Sequence, residues 1–367
     1  MKAPALLLAK RICQVLNLSS FRRYLNVSHI DLTNITNKNL HTMNAQEKFL
    51  FDLNGFIVVR NALNAKEVEE MNLGIDQHMA AAKPRETEDG VLRNTKPGTY
   101  MSAEGPRIDL GGLLRWETPM FRRLLAHPKI IPYLVGLLGY GYRMDHQPFV
   151  IIQNANSEGF SLHGGPLIPS STDVSTHISS HGCQDSADPG HFNPELQYSC
   201  RGGEIWNSLL AMSVCLCDAD AGDGGFCVVR GSHKLNFAMP DGFANGLFGK
   251  EHIYQPELKK GDIVFFSEAT VHGALPWVAK DRQRRVALYR FAPATVSYGR
   301  MYIEQFGEGV MEKCTDAEKV VLLGPYANRA ERSYVDVDED GNVVVKKKLR
   351  SSVKKDHDKK VFGTDWF

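Results

Sequence analysis

Between Tyr142 and Ala294 the chain is cut into short runs rich in Val, Ile, Phe and Tyr, and this cutting limits its fold more than any other feature. The runs are "YRMDHQPFVIIQNAN", "GFSLHGG", "GEIWNSLLAMSVCLCDA", "GGFCVVRGSH", "DIVFFSEATVHGAL" and "RRVALYRFAPA". Stretches such as "DAGDGG" and "KKGD" separate them. β-Branched and aromatic side chains suit a pleated surface, whereas Gly and Asp clusters end it in turns. Several such strands in series behind a helical front predict a mainly β fold, an antiparallel double-sheet barrel with helices packed outside.

The front is "NAQEKFLFDLNGFIVVRNALNAKEVEEMNLGIDQHM", from Asn44 to Met79, which reads as helix, strand, helix. Asn64 followed by Glu67 is a capping box for the second helix. Residues 79–108 read as loop. "PMFRRLLAHPKIIPYLVGLLG" predicts a helical pair broken at Pro128 and ending at Gly139. A long polar insertion, residues 166–201, is expected to form a lid over the barrel mouth. Near the end, "YVDVDEDGNVVVKK" is a hairpin with an Asp-Gly turn. Asp336, Asp338, Asp340 and Gly341 imitate the start of a calcium loop, but position twelve would be Lys347 rather than Glu, so no calcium is expected. The predicted organisation is an extension over 1–43, a main domain over 44–330, and a hairpin with a basic tail over 331–367.

Charge and cysteine usage exclude several classes. The 367 residues carry a formal net charge of +1, which gives no sign of a nucleic-acid partner. No apolar run reaches the roughly 20 residues needed to cross a bilayer. Seven scattered cysteines, an odd number without CxxC pairs, suit a reducing intracellular setting better than a disulfide framework. Residues 1–30 hold five Lys and Arg and no acid before Asp31. That segment reads equally as an organellar targeting or membrane-surface helix and as a docked or frayed N-terminal helix. The expected location is therefore cytoplasmic or organellar. The tail "KKKLRSSVKKDHDKK" reads as solvated, or as a lure for an anionic substrate handle, a carrier protein or a lipid surface.

Two histidines fall at strand ends of the expected barrel, His163 in "SLHGG" and His272 in "ATVHGAL". Twelve residues after His272 comes Arg284, at the start of "RRVALYRFAP". Two imidazoles at a barrel mouth can hold a metal, and a guanidinium on the next strand can grip a carboxylate with two hydrogen bonds. Taken singly, a histidine on an apolar strand is more often a packed core residue, so the pairing carries the reading.

The order "FDLNGFIVVRNAL … LHGG … LLAMSVCLCDADAGDGGFCVVRGSHK … LKKGDIVFFSEATVHGALPW … RRVALYRFAP" resembles the phytanoyl-CoA dioxygenase family of iron(II)- and 2-oxoglutarate-dependent oxygenases, over roughly residues 44–300. The resemblance implies a double-stranded β-helix (a jelly-roll, cupin-like barrel) with N-terminal helices outside. It implies His163 and His272 as iron ligands and Arg284 as the anchor of 2-oxoglutarate, with Arg285 the alternative. Only one of that pair can face inward, because adjacent strand residues point to opposite faces. Gln153 and Asn207 are weaker candidates for the pocket. His233, in "RGSHK", is expected to be structural. The implied cofactors are iron(II), 2-oxoglutarate and dioxygen, and the implied substrate is a small or lipid-like molecule, free or carrier-linked.

The departure is Gly165. The family's His-x-Asp motif puts a carboxylate two residues after the first histidine, and here that position has no side chain. Three readings stay open, in order of preference. Chloride binds in the vacated place near Gly164 and Gly165, as in aliphatic halogenases with a His-x-Gly motif, and the reaction is chlorination. Alternatively a residue of the insertion, such as Asp173, Asp185 or Asp188, or a water completes a hydroxylase. Last, the barrel only binds a ligand. A plain turn, with glycine needed for positive φ, is the bland account of "HGGP".

Overall fold

The structure, a computed structural model, describes residues 42–84, 86–87, 90–91, 93–168, 190–299 and 309–363. Among these, the helical front is α1 (Ala45–Asn54), β1 (Phe56–Val59) and α2 (Ala65–His78). Next come β2 (Lys83–Pro84), β3 (Ile108–Leu110) and α3 (Ile131–Leu138). The strands that follow are β4 (Arg143–Gln153), β5 (Phe160–His163), β6 (Leu210–Cys215) and β7 (Gly225–Val229). The series closes with β8 (Ile253–Tyr254), β9 (Ile263–Ser267), β10 (His272–Leu275) and β11 (Arg284–Ala292).

Capping boxes start both front helices, that of α2 as the sequence predicts. The Asn64 side chain accepts from the Lys66 and Glu67 N–H groups, and the Glu67 carboxylate accepts from the Asn64 N–H. Asn44 and Glu47 form the same box ahead of α1. Each reciprocal pair satisfies backbone donors that a helix start would otherwise leave open, worth about 1 kcal/mol.

Two antiparallel sheets carry the fold. One has seven strands in the order β1-β9-β6-β11-β4-β3-β2, the other four in the order β8-β7-β10-β5. The two-residue period of the strands explains the layers. On β9, Ile263 and Phe265 join the cluster that packs against the helices, while Val264 and Phe266 turn the other way and meet Phe226 and Val228 of β7. On β11, Ala287, Tyr289 and Phe291 face the helices. The larger sheet is thus buried on both faces, helices on one and the second sheet on the other. Fully burying one Phe or Leu side chain contributes about 1.5–3 kcal/mol, so this sandwich is the main stabilising mass.

Three runs differ from the sequence expectation. "DIVFFSEATVHGAL" is not one strand: it divides into β9 and β10, in different sheets, with Glu268–Val271 as the corner between them. "GEIWNSLLAMSVC" divides likewise, Glu204–Asn207 pairing with Tyr198–Arg201 in a separate ribbon. The basic tail contains a helix, Ser352–Phe362, with no buried residue. The hairpin forms as expected, Arg332–Val337 against Val343–Lys348. The extension over 1–43 lies, but for its last two residues, outside the described residues, as does 169–189 of the insertion. The insertion's ends meet where Leu167–Ile168 pairs with His191–Phe192. Among the described residues, no helix is long and apolar enough to cross a membrane.

Candidate active site

The inward residues of β11 set the site. Arg284, Val286, Leu288 and Arg290 line a cavity of about 590 Å3 between the two sheets. Phe149 and Ile151 of β4, Phe160 of β5, Phe226 of β7 and Phe266 of β9 supply most of its apolar wall. His163 and His272 open into the same space.

The two histidines meet because β5 and β10 are neighbours, with His163 opposite His272 in the register. Their ring centroids lie 4.2 Å apart. Each Nδ1–H donates to a carbonyl two residues earlier in its own chain, His163 to Ser161 at 2.9 Å and His272 to Thr270 at 2.7 Å. A carbonyl can only accept, so both rings carry the proton on Nδ1 and present a bare Nε2. Burial pulls the His163 pKa down to about 3, with His272 adding to the shift. Burial also lowers His272, with Glu268 opposing it. Both imidazoles are therefore neutral at ordinary pH, the state that binds a metal.

A carboxylate stands beside them. His163, Glu268 and His272 form a cluster whose donor atoms all lie within 4.8 Å of one another. Glu268 Oε2 is 3.5 Å from His272 Nε2, and Oε1 accepts from Arg290 Nε at 2.5 Å. Burial alone would raise this carboxyl, but Arg290, His272 and His163 outweigh it and hold the pKa down at about 2. The donor set, two neutral imidazoles and one carboxylate oxygen, fits the facial set of non-haem iron(II). Glu268 was not among the residues singled out from the sequence. Its signal was present as an acid inside the apolar run "DIVFFSEATVHGAL", four residues before His272.

The glycines behave as a turn requires. β5 ends at His163, and Gly164 and Gly165 follow with φ of +91° and +105°. A Cβ on Gly164 would lie 2.7 Å from the Thr270 carbonyl oxygen and 2.8 Å from that of Glu268. Glycine here lets the β5 end press against the Glu268–Val271 corner. Neither glycine lines the cavity, so the expected halide site at Gly164 and Gly165 needs correction. The strand does not continue to present position 165, and a carboxylate already stands in the cluster. Asp173, Asp185 and Asp188, the expected substitutes, lie outside the described residues.

Arg284 is buried, and its Nη1 donates to Gln153 Oε1 at 2.5 Å. Gln153 in turn donates through Nε2 to the Glu158 carbonyl. Gln153 therefore braces the arginine and does not itself line the cavity. Among the described residues no carboxylate pairs with Arg284. The thiols behind it are neutral, since burial pushes Cys215 and Cys227 up to about 12. Burial, with Arg107 nearby, lowers the Arg284 pKa. A buried cation with only a neutral partner is costly until an anion joins it. Arg285 faces away, paired with Asp76 at 2.7 Å, as alternation along a strand demands.

Asn207 is also a correction. It lies in the separate ribbon and donates to the Leu137 carbonyl at the end of α3, because its run breaks before β6 begins. His233 is structural as expected, its Nε2 bound to the Asp52 carbonyl.

An antiparallel double sheet enclosing two Nε2-bare histidines and a buried arginine is a double-stranded β-helix arrangement with a candidate metal and anion site. Residues 196–286 match the phytanoyl-CoA dioxygenase (PhyH) family, a span that includes Glu268, His272 and Arg284. The match covers about a quarter of the chain. No curated protein matches it. Among solved structures it resembles HygX from Streptomyces hygroscopicus with nickel, 2-oxoglutarate and hygromycin B bound. The TM-score is 0.53 at 18% identity, covering 70% of this chain and 90% of that one. The iron-bound form of HygX gives a TM-score of 0.52 at 18% identity, with 71% and 90% covered. At this identity the likeness concerns the fold.

Proposed function

We propose that the protein oxidises a C–H bond of a small organic substrate, with iron(II) held at His163 and His272 and 2-oxoglutarate anchored by Arg284. The observation that carries this reading is one cavity with bare, neutral imidazole nitrogens and a buried guanidinium that pairs with no carboxylate among the described residues. Bound iron(II) supplies dioxygen activation, in which 2-oxoglutarate loses CO2 to become succinate, one oxygen atom going to succinate and the other to the substrate carbon.

The chain's own residues prepare that chemistry. Ser161 and Thr270 carbonyls fix both imidazole tautomers. Arg284, braced by Gln153, offers a planar pair of donors to the far carboxylate of the cosubstrate. Phe149, Ile151, Phe160, Phe226 and Leu288 keep water from the reacting carbon and suit an apolar portion of the substrate. Oxygen insertion is favoured over chlorination because the Glu268 carboxylate already brings the negative charge that chloride would supply.

The test is anaerobic titration of the protein with iron(II) and 2-oxoglutarate, followed by oxygen. A metal-to-2-oxoglutarate charge-transfer band and oxygen-dependent succinate are expected. Absence of both in the wild-type protein would defeat the reading.

A further inference from the structure

We infer that Glu268 is the carboxylate ligand of this centre, moved from the strand of His163 to the corner before His272 and positioned by Arg290. The inference rests on the metal reading above and deepens it.

Three observations carry it. The chain turns at Gly164 and Gly165, so no side chain follows His163 on the same strand face. Glu268, at 7% side-chain exposure, lies in one cluster with both histidines, its Oε2 directed to the bare Nε2 of His272 at 3.5 Å. Arg290 takes the other oxygen, Oε1, through its Nε at 2.5 Å. One oxygen is thereby occupied by a guanidinium and the other is left to the metal, a one-oxygen presentation. Metal bonds of about 2.1 Å at right angles need donors about 3 Å apart, so this cluster is slightly open and closes with small side-chain movements. A plain buried ion pair between Glu268 and Arg290 would not require the bare Nε2 of His272 to face the same carboxylate.

The relocation keeps the usual donors and the usual charge. Two imidazoles and one carboxylate leave three positions of an octahedron for the cosubstrate and dioxygen, and none for a halide. Arg290 is a positioning residue: it touches the carboxylate, and its hold on Oε1 decides which oxygen faces the metal.

The experiment uses cobalt(II) as the probe, on the full chain, with affinity by calorimetry and the cobalt absorption bands as the second readout. Wild type is expected to bind one cobalt(II). Glu268→Gln keeps the shape and the Arg290 hydrogen bond but offers a weak ligand, and is expected to lose about 100-fold or more in cobalt affinity. Glu268→Ala is expected to bind weakly and to gain a chloride-dependent spectrum, because a position opens. Glu268→Asp should recover part of the affinity, and Arg290→Met should cost about 10–100-fold. Circular dichroism identifies any variant that has failed to fold, and Glu268→Gln then decides. Unchanged affinity and bands in a folded Glu268→Gln would overturn the relocation while leaving the metal reading intact. Wild type binding no cobalt(II) would instead overturn the metal centre itself, and the relocation with it.

Discussion

At one end of the inner face of β11, Arg284 is buried beside Gln153, and no described carboxylate pairs with it. At the other end, Arg290 holds Glu268 and keeps about a fifth of its side chain exposed. Both are arginines on the same strand, facing the same cavity. Their difference separates two uses of a buried charge. A cation given its own carboxylate is part of the protein's framework, whereas one left with an amide awaits an anion from outside.

The contrast breaks most sharply at Arg284. Arg284→Met should cut 2-oxoglutarate affinity by at least about 30-fold, the range for removing one side of a buried hydrogen-bonded charge pair, as measured by calorimetry with the metal present. The same variant without ligands should melt within a few degrees of wild type, since it also removes an uncompensated charge. An equal loss of affinity from Arg285→Ala would erase the distinction. At the paired end, Arg290→Met should destabilise the ligand-free protein by about 2–3 kcal/mol, less than for a fully buried pair because Arg290 is partly wet. Denaturant melts measure this, and no loss would mean that Glu268 does not depend on its guanidinium. Gly164→Ala acts on the same end without touching a charge. Its strained φ and the crowding at the Thr270 carbonyl should cost more than about 1 kcal/mol and weaken metal binding. The smallest effect belongs to Arg285→Ala, whose Asp76 partner is half exposed: under about 1 kcal/mol in melts, and under about 3-fold in 2-oxoglutarate affinity.

Much of this site was legible in the chain because strand alternation is a strong local rule. It allowed only one of Arg284 and Arg285 to face inward, and the structure turns Arg284 in and Arg285 out. Capping chemistry marked the start of α2 at Asn64 for the same local reason. The carboxylate was missed because the search followed His163 along its own strand, where a family pattern puts it. Glu268 reaches the centre only because "DIVFFSEATVHGAL" folds at a corner and passes from one sheet to the other. That corner has no glycine or proline to announce it. Asn207 failed for a related reason, since a run of strand-forming residues did not reveal its break before Leu210. Pairing between distant segments, not propensity, decides both.

The tautomer-fixing bonds of His163 and His272 have a consequence for how such an enzyme can diversify. Each ring is tied to a main-chain carbonyl two residues earlier in the chain, so its proton and its aim are set in large part by the backbone. Phe149, Ile151 and Leu288 can therefore be exchanged to admit a different molecule while the two nitrogens keep their aim. Recognition and reactivity are wired separately, and lineages can explore new substrates without first dismantling the centre that acts on them.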